Sequence, residues 1–312
     1  MEVKKISEAR QLRGVLKLVY PVSKGQIEDW GAMEKIWHSM LFNDLRIDPS
    51  QHPMALAVPP LTPKESLEKM VNIWFETFGV PALFMVPEDL GILSAMGFDS
   101  GIVLNIGAEW YYVSPIYEKH RNTSGLQTGD IGAKNIFQNL LRLMRRKNYH
   151  FGGGASDLDL AQHIVEEFCR ISLDPENEIA NLDQSKFTMP DGNTIDLGEE
   201  IILAPEILFD PAAIGKDCPS ILESLTTVID LYTQQIGEDP VVIVSGGATK
   251  LPGFVERIQS ANPGIEIIGH EKRAYLDWIG VSYMVSAGLV QPIKKSEYLS
   301  MGSSIVHKYF GT

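Results

Sequence analysis

Apolar and polar positions trade between two periods along this chain, and the changes of period mark its elements. Arg13-Gly14-Val15-Leu16-Lys17-Leu18 alternates as a half-buried strand does and stops at Tyr20-Pro21. After a turn at Ser23–Gly25, Asp29 is placed to cap a helix over about Trp30–Phe42, with Met33, Ile36, Trp37, Met40 and Leu41 at helical spacing. Met54–Val58 is a short apolar strand closed by Pro59-Pro60. Thr62 is expected to cap the next helix, with Pro63 in its first position and Leu67, Met70, Val71, Trp74 and Phe75 on its buried face. A strand at Ala82–Val86 and a short helix at Leu90–Met96 follow.

Gly101–Tyr117 then reads as a hairpin: a β-branched run through Leu104, a turn at Asn105–Gly107, and an aromatic run ending at Ser114-Pro115. A helix is predicted from about Ala133 to Arg146, its basic end suited to the helix dipole. Gly152-Gly153-Gly154 leads to Ser156, a cap for a helix burying Leu160, Ile164, Val165 and Phe168. The polar stretch Asp174–Ser185 predicts a loop, and Phe187–Ile195 a hairpin across Asp191-Gly192. A helix over about Ile221–Gln235 precedes Val241–Val244, a run apolar enough to be a strand buried on both faces. That strand opens into Ser245-Gly246-Gly247-Ala248, with another helix beginning near Pro252. Strands and helices in alternation predict an α/β fold.

Composition narrows the chemistry. The 312 residues suffice for one large or two mid-sized cores. A formal charge of -13 argues against a nucleic-acid binder, which needs clustered cations. Two cysteines, Cys169 and Cys218, are too few for a disulfide framework and suggest a reducing compartment. No apolar run approaches the roughly 18 residues of a membrane span, and the N-terminus lacks the apolar core of a secretory signal. The seven histidines are scattered, and neither metal-ligand spacing nor a serine-hydrolase elbow occurs. Two glycine turns remain as candidates for a site, because glycine lets main chain approach a flat or anionic ligand.

The words around these turns resemble actin and the actin-related proteins. Arg13-Gly14-Val15-Leu16, Tyr20-Pro21, Met33-Glu34-Lys35-Ile36-Trp37-His38, Glu68-Lys69-Met70 and Phe75-Glu76-Thr77-Phe78 are similar to the family at matching spacing. Pro115-Ile116-Tyr117-Glu118 resembles the end of its second phosphate hairpin, and Ser245-Gly246-Gly247 its later glycine turn. Leu208-Phe209-Asp210-Pro211, Trp278-Ile279-Gly280 and Ser303-Ser304-Ile305-Val306-His307 extend the resemblance to the C-terminus. It implies a two-lobe, actin-like fold of the ribonuclease-H-like class shared with sugar kinases and chaperone ATPases. The lobes are expected at residues 1–130 plus 286–312 and at 131–285.

The resemblance also implies ATP or ADP with Mg²⁺ as cofactor, and Gly107, Gly132, Glu166, Gly246 and Gly247 as nucleotide contacts. Several residues depart from the family pattern. Asn105 replaces an aspartate that helps hold the hydrated metal, so it is at best a weak metal candidate. Glu88 aligns with the water-orienting glutamine; as a base it is the one candidate for catalysis, but it would repel a triphosphate. Around the adenine, Gln162, Val165 and Lys250 stand where the family has arginine, lysine and methionine, and Ala274 where it has a lysine, while Trp110 follows the first turn as a bulky substitute.

The family's first phosphate hairpin has no counterpart, so the first lobe is expected to be reduced and the strand at Ile102–Leu104 to lose a neighbour. A start placed late in the gene or a truly shortened chain would each remove that hairpin. Only the second accounts for the altered side chains as well. The expectation is therefore an actin-related structural, cytoskeletal protein with weak or no nucleotide binding and lost hydrolysis. It would contact actin, actin-like subunits or a larger assembly, in the cytoplasm or cytoskeleton, without nucleic acid or membrane. The alternative is an ATP-binding, polymer-forming homologue with weak ATPase.

Overall fold

A computed structural model describes residues 19–149, 155–189 and 192–310. The predicted strand at Arg13–Leu18, the triple glycine, the side chain of Ser156 and the Asp191 turn residue lie outside the described residues. Among the described residues no helix is long and apolar enough to cross a membrane. The strands are β1 (Val22–Ser23), β2 (Gln26–Ile27), β3 (Met54–Val58), β4 (Ala82–Pro87), β5 (Gly101–Ile106), β6 (Tyr111–Tyr117) and β7 (His120–Arg121). They continue with β8 (Gln127–Gly129), β9 (Ser185–Thr188), β10 (Thr194–Leu197), β11 (Val241–Ser245), β12 (Glu266–Ile268) and β13 (Ile293–Lys294). Two compact units contain them, residues 1–96 with 277–312, and residues 97–276.

In the first unit, β1 and β2 pair across Lys24-Gly25, both at positive φ (47° and 75°), a backbone turn whose twist suits a tight hairpin. Asp29 caps the helix Trp30–His38 as its sequence predicts, accepting from Ala32 N at 2.9 Å. The next helix, Lys64–Asn72, begins after Pro63 without a side-chain cap, and Thr62 instead donates its hydroxyl to Pro59 O. Trp37, Trp74 and Phe78 pack in series through the core as tilted rings, centroids 5.2 and 5.0 Å apart, as expected of packing residues. A three-stranded sheet runs in the order β13-β4-β3, with β3 parallel to β4. The C-terminal segment is tied into this core. Tyr298 donates to Asn72 at 2.7 Å, stacks on Phe75 at 4.7 Å, and His307 Nε2 meets Glu68 Oε1 at 2.6 Å.

The second unit is built on a six-stranded sheet in the order β12-β11-β5-β6-β7, with β8 also on β6. β11 lies between two parallel neighbours and is buried from Val242 through Ser245, as its unbroken apolar run predicts. Helices Ala133–Arg146 and Ile221–Ile236 match their predicted spans closely and bury Ile136, Leu140, Met144, Leu225 and Val228 against the sheet. Ser220 and Glu223 close a capping box, with Glu223 N donating to Ser220 Oγ at 3.2 Å and Ser220 N to Glu223 Oε2 at 2.7 Å.

Three expectations change here. Residues 97–130 belong to the second unit, so the boundary falls at 96/97 where 130/131 was expected, and the return falls at 276/277 in place of 285/286. The cause is β5, which bonds to β6 on one side and to β11 on the other. For the same reason β5 has neighbours on both sides, where one was expected to be missing. Finally, the polar stretch after Asp174 is not all loop. Asp174 caps a helix Pro175–Ala180, with proline at its first position.

Candidate functional site

The parallel pair β5–β11 delivers both glycine turns to one end of the second unit's sheet. Asn105 lies opposite Ser245 across this pair and opposite Tyr112 on the other side. Held in the ladder twice, Asn105 and Ile106 stay extended, and the turn forms at Gly107–Trp110, later than the sequence suggests. Gly107 N donates to Trp110 O at 3.0 Å and closes it. The aromatics after the turn pack into protein: Tyr111 donates to Pro219 O and bonds Ser224 Oγ, each at 2.8 Å. Burial pushes the Tyr111 phenol up to about 12, against the lowering effect of the Ser224 bond.

Gly132 precedes the helix Ala133–Arg146 and faces the hairpin tip. A Cβ there would lie 2.6 Å from Gly107 O and 2.7 Å from the Ala108 carbonyl carbon. The first two helix amides are already used, Ala133 N by Gly107 O (3.1 Å) and Lys134 N by Ala108 O (2.8 Å). Helix N-termini attract anions through such amides. Here main-chain carbonyls occupy that place. Asn135 turns back to accept from Gly132 N at 3.0 Å, and Lys134 Nζ is salt-bridged to Glu109 within the turn.

Gly246 has φ +97°, a conformation that favours glycine, and a Cβ there would sit 2.2 Å from Ile106 O and 2.7 Å from Asn105 Oδ1. Its amide donates to Arg273 O, and its carbonyl accepts from the Thr249 hydroxyl at 2.7 Å. Arg273 in turn donates to Thr249 O at 3.1 Å and His270 O at 3.2 Å. Gly247 differs. It is exposed, and a Cβ on it would meet nothing within 4 Å. Lys250 is exposed in the same short 3-10 turn.

Of the residues named from the sequence, Gly107, Gly132 and Gly246 are thus brought together around Asn105 and Ile106, with Gly247 adjoining. Glu166 sits on the helix Ala155–Phe168, where Gln162 Nε2 donates to its carboxylate at 2.7 Å, a contact within its own helix. Glu88 opens a helix of the other unit, Glu88–Ala95. Among the described residues no group of three His, Cys, Asp or Glu is arranged to hold a metal. Cys169 and Cys218 are free thiols; burial pushes Cys169 up to about 12, which leaves it protonated and inert near neutrality. Sequence reading missed Glu109, Lys134 and Arg273. The signal for the first two is a charge pair flanking a turn and a helix start, legible only once the two segments are known to meet. A family model described as Actin matches residues 2–152 and 155–311.

Proposed function

Because the chain belongs to the actin family, we propose that it is an actin-related structural protein that works through contacts with other proteins, its nucleotide hydrolysis lost. The observation that carries this is the state of the cations at the glycine turns. Lys134 is salt-bridged to Glu109, and the Arg273 guanidinium serves two carbonyls of its own unit. A metal-bound triphosphate needs compensating positive charge and carboxylate or water oxygens around its ion. Asn105 contributes a neutral amide instead. Gly132 and Gly246, moreover, are demanded by the hairpin's own carbonyls, with no ligand required to explain them. In this reading the two units are the two actin-like lobes. Partners are actin, actin-like subunits or a multiprotein assembly of the cytoplasm or cytoskeleton, and a charge of -13 suits surfaces bearing basic patches.

One observation favours a second reading, an ATP-binding, polymer-forming homologue with weak ATPase. Nothing in the protein crowds Gly247, so its missing side chain is free to serve close approach of a ligand, and Lys250 adds an exposed cation beside it. Glu166 would then lie on the adenine side of that nucleotide. Titration with a fluorescent ATP analogue in Mg²⁺ separates the readings. The structural role expects no saturable binding and no phosphate release above background. Micromolar binding together with sedimentable filaments would establish the second reading.

A further inference from the structure

One helix of the second unit serves no core. Pro175–Ala180 buries no residue, and so short a helix is marginal unless its surroundings hold it. They do. Asp174 caps it, accepting from Asn177 N at 3.3 Å, and Arg170 Nε donates to Glu178 Oε1 at 2.6 Å. The chain leading into it is fixed by Arg257, which donates to Ser172 O at 2.6 Å and to Leu173 O at 2.9 Å. These residues enclose a groove of about 740 Å³, whose lining includes Ser172, Leu173, Asn177, Glu178, Asn181 and Asp183. The volume is that of a ligand site, and the protein's own bonds hold its walls in place.

The groups left over in the lining indicate what fills it. Asn181 Nδ2 donates to Asn177 O at 2.9 Å and Asn177 Oδ1 at 3.2 Å. That leaves Asn177 Nδ2 as a donor and Asn181 Oδ1 as an acceptor, neither with a partner among the described residues. The two residues stand one helical turn apart, about 6 Å of rise, close to the roughly 6.6 Å between alternate residues of an extended chain. One donor and one acceptor at that spacing match the C=O and N–H of a peptide main chain. Leu173, 58% exposed, adds an apolar contact in the same lining. Charge sets the side chain. Asp174 is engaged by its cap and Glu178 by Arg170, whereas Asp183 has no hydrogen bond or ion pair among the described residues. We propose that this groove binds an extended, basic segment of a partner protein, its main chain on Asn177 and Asn181 and an arginine or lysine side chain on Asp183. A bare metal ion fits less well, since no group of three His, Cys, Asp or Glu among the described residues is arranged to hold one. The inference rests on the reading of the chain as a contact protein and gives that reading a surface and a partner chemistry.

Fluorescence anisotropy of a labelled, terminally blocked Gly-Leu-Arg-Leu-Gly peptide, titrated with the full chain at low salt and without nucleotide, tests it. Saturable binding with a Kd below about 1 mM is expected. Citrulline in place of the arginine, or Asp183→Lys in the protein, should weaken it by roughly threefold or more. Glu238→Lys makes the same change of charge outside the groove and should leave the affinity unchanged. Matched thermal melts check that both variants fold. Absence of saturation overturns the proposal, and so do equal affinities for the arginine and citrulline peptides. Equal losses in the two variants overturn it as well, since they would mark plain attraction to a chain of charge -13. Failure on any of these counts leaves the structural role standing, because that role is judged separately by the nucleotide titration.

Discussion

Gly132→Ala is expected to destabilise the second unit with no nucleotide present. The backbone at Gly132 is extended (φ -167°), so alanine meets no conformational penalty, and the effect is purely one of space. The added methyl would sit 2.6 Å from Gly107 O and 2.8 Å from Ala108 O, and the hairpin tip must retreat by the better part of an ångström to restore contact distance. Retreat stretches two bonds, Ala133 N to Gly107 O and Lys134 N to Ala108 O. Overpacking of this kind costs about 1–3 kcal/mol. Two weakened hydrogen bonds add about 1 kcal/mol each. The stiffer unfolded chain returns about 0.4–1 kcal/mol. A net loss of about 2–5 kcal/mol remains, which for a unit of this size lowers its Tm by roughly 4–20 °C. Differential scanning calorimetry against Gly247→Ala supplies the contrast. That methyl enters open space and is expected to change stability by less than about 0.5 kcal/mol. Equal melting of Gly132→Ala and wild type would refute the argument that the hairpin's own carbonyls require this glycine.

Two further outcomes follow from the same unit. Tyr111→Phe strips buried bonds to Pro219 O and Ser224 Oγ and should cost about 1–3 kcal/mol in urea unfolding near neutral pH. Because the folded phenol is raised from 10 to about 12, its contribution is full below pH 10 and fades as pH climbs toward 12. The alkaline loss of stability should therefore flatten in the variant, and an unchanged alkaline slope would count against the burial argument. Glu109→Gln removes the carboxylate from a half-exposed pair with Lys134, so it should cost less than about 1 kcal/mol and reduce the salt dependence of Tm; a larger loss would mean the pair holds the hairpin in place.

Local pattern carried much of this architecture. The helices Ala133–Arg146 and Ile221–Ile236, the Asp29 cap and the buried run into β11 all depend on residues close in sequence, and all were legible from period and cap chemistry. The unit boundary was not legible. It depends on β5 pairing with β11, a contact between distant segments that no local window contains. Helix Pro175–Ala180 shows a different failure: it buries no residue, so the apolar periodicity that reveals helices is absent, although the Asp174-Pro175 start signal was there to be read. At the site, the glycines could be named in advance but not assigned a purpose. Whether a glycine makes room for a ligand or for a neighbouring carbonyl depends on what stands opposite, and here Gly132 and Gly246 face main chain while Gly247 faces open space.

The carbonyls of Gly107 and Ala108 seated on the helix amides also bear on how this family would drift over time. A lineage that abandoned nucleotide altogether would still be obliged to retain glycine at 132, since the fold itself enforces it. Persistence there is thus no fossil of a vanished ligand. Position 247 is the informative witness: once nothing docks there, any small side chain is tolerated, and variation at that residue would date the loss.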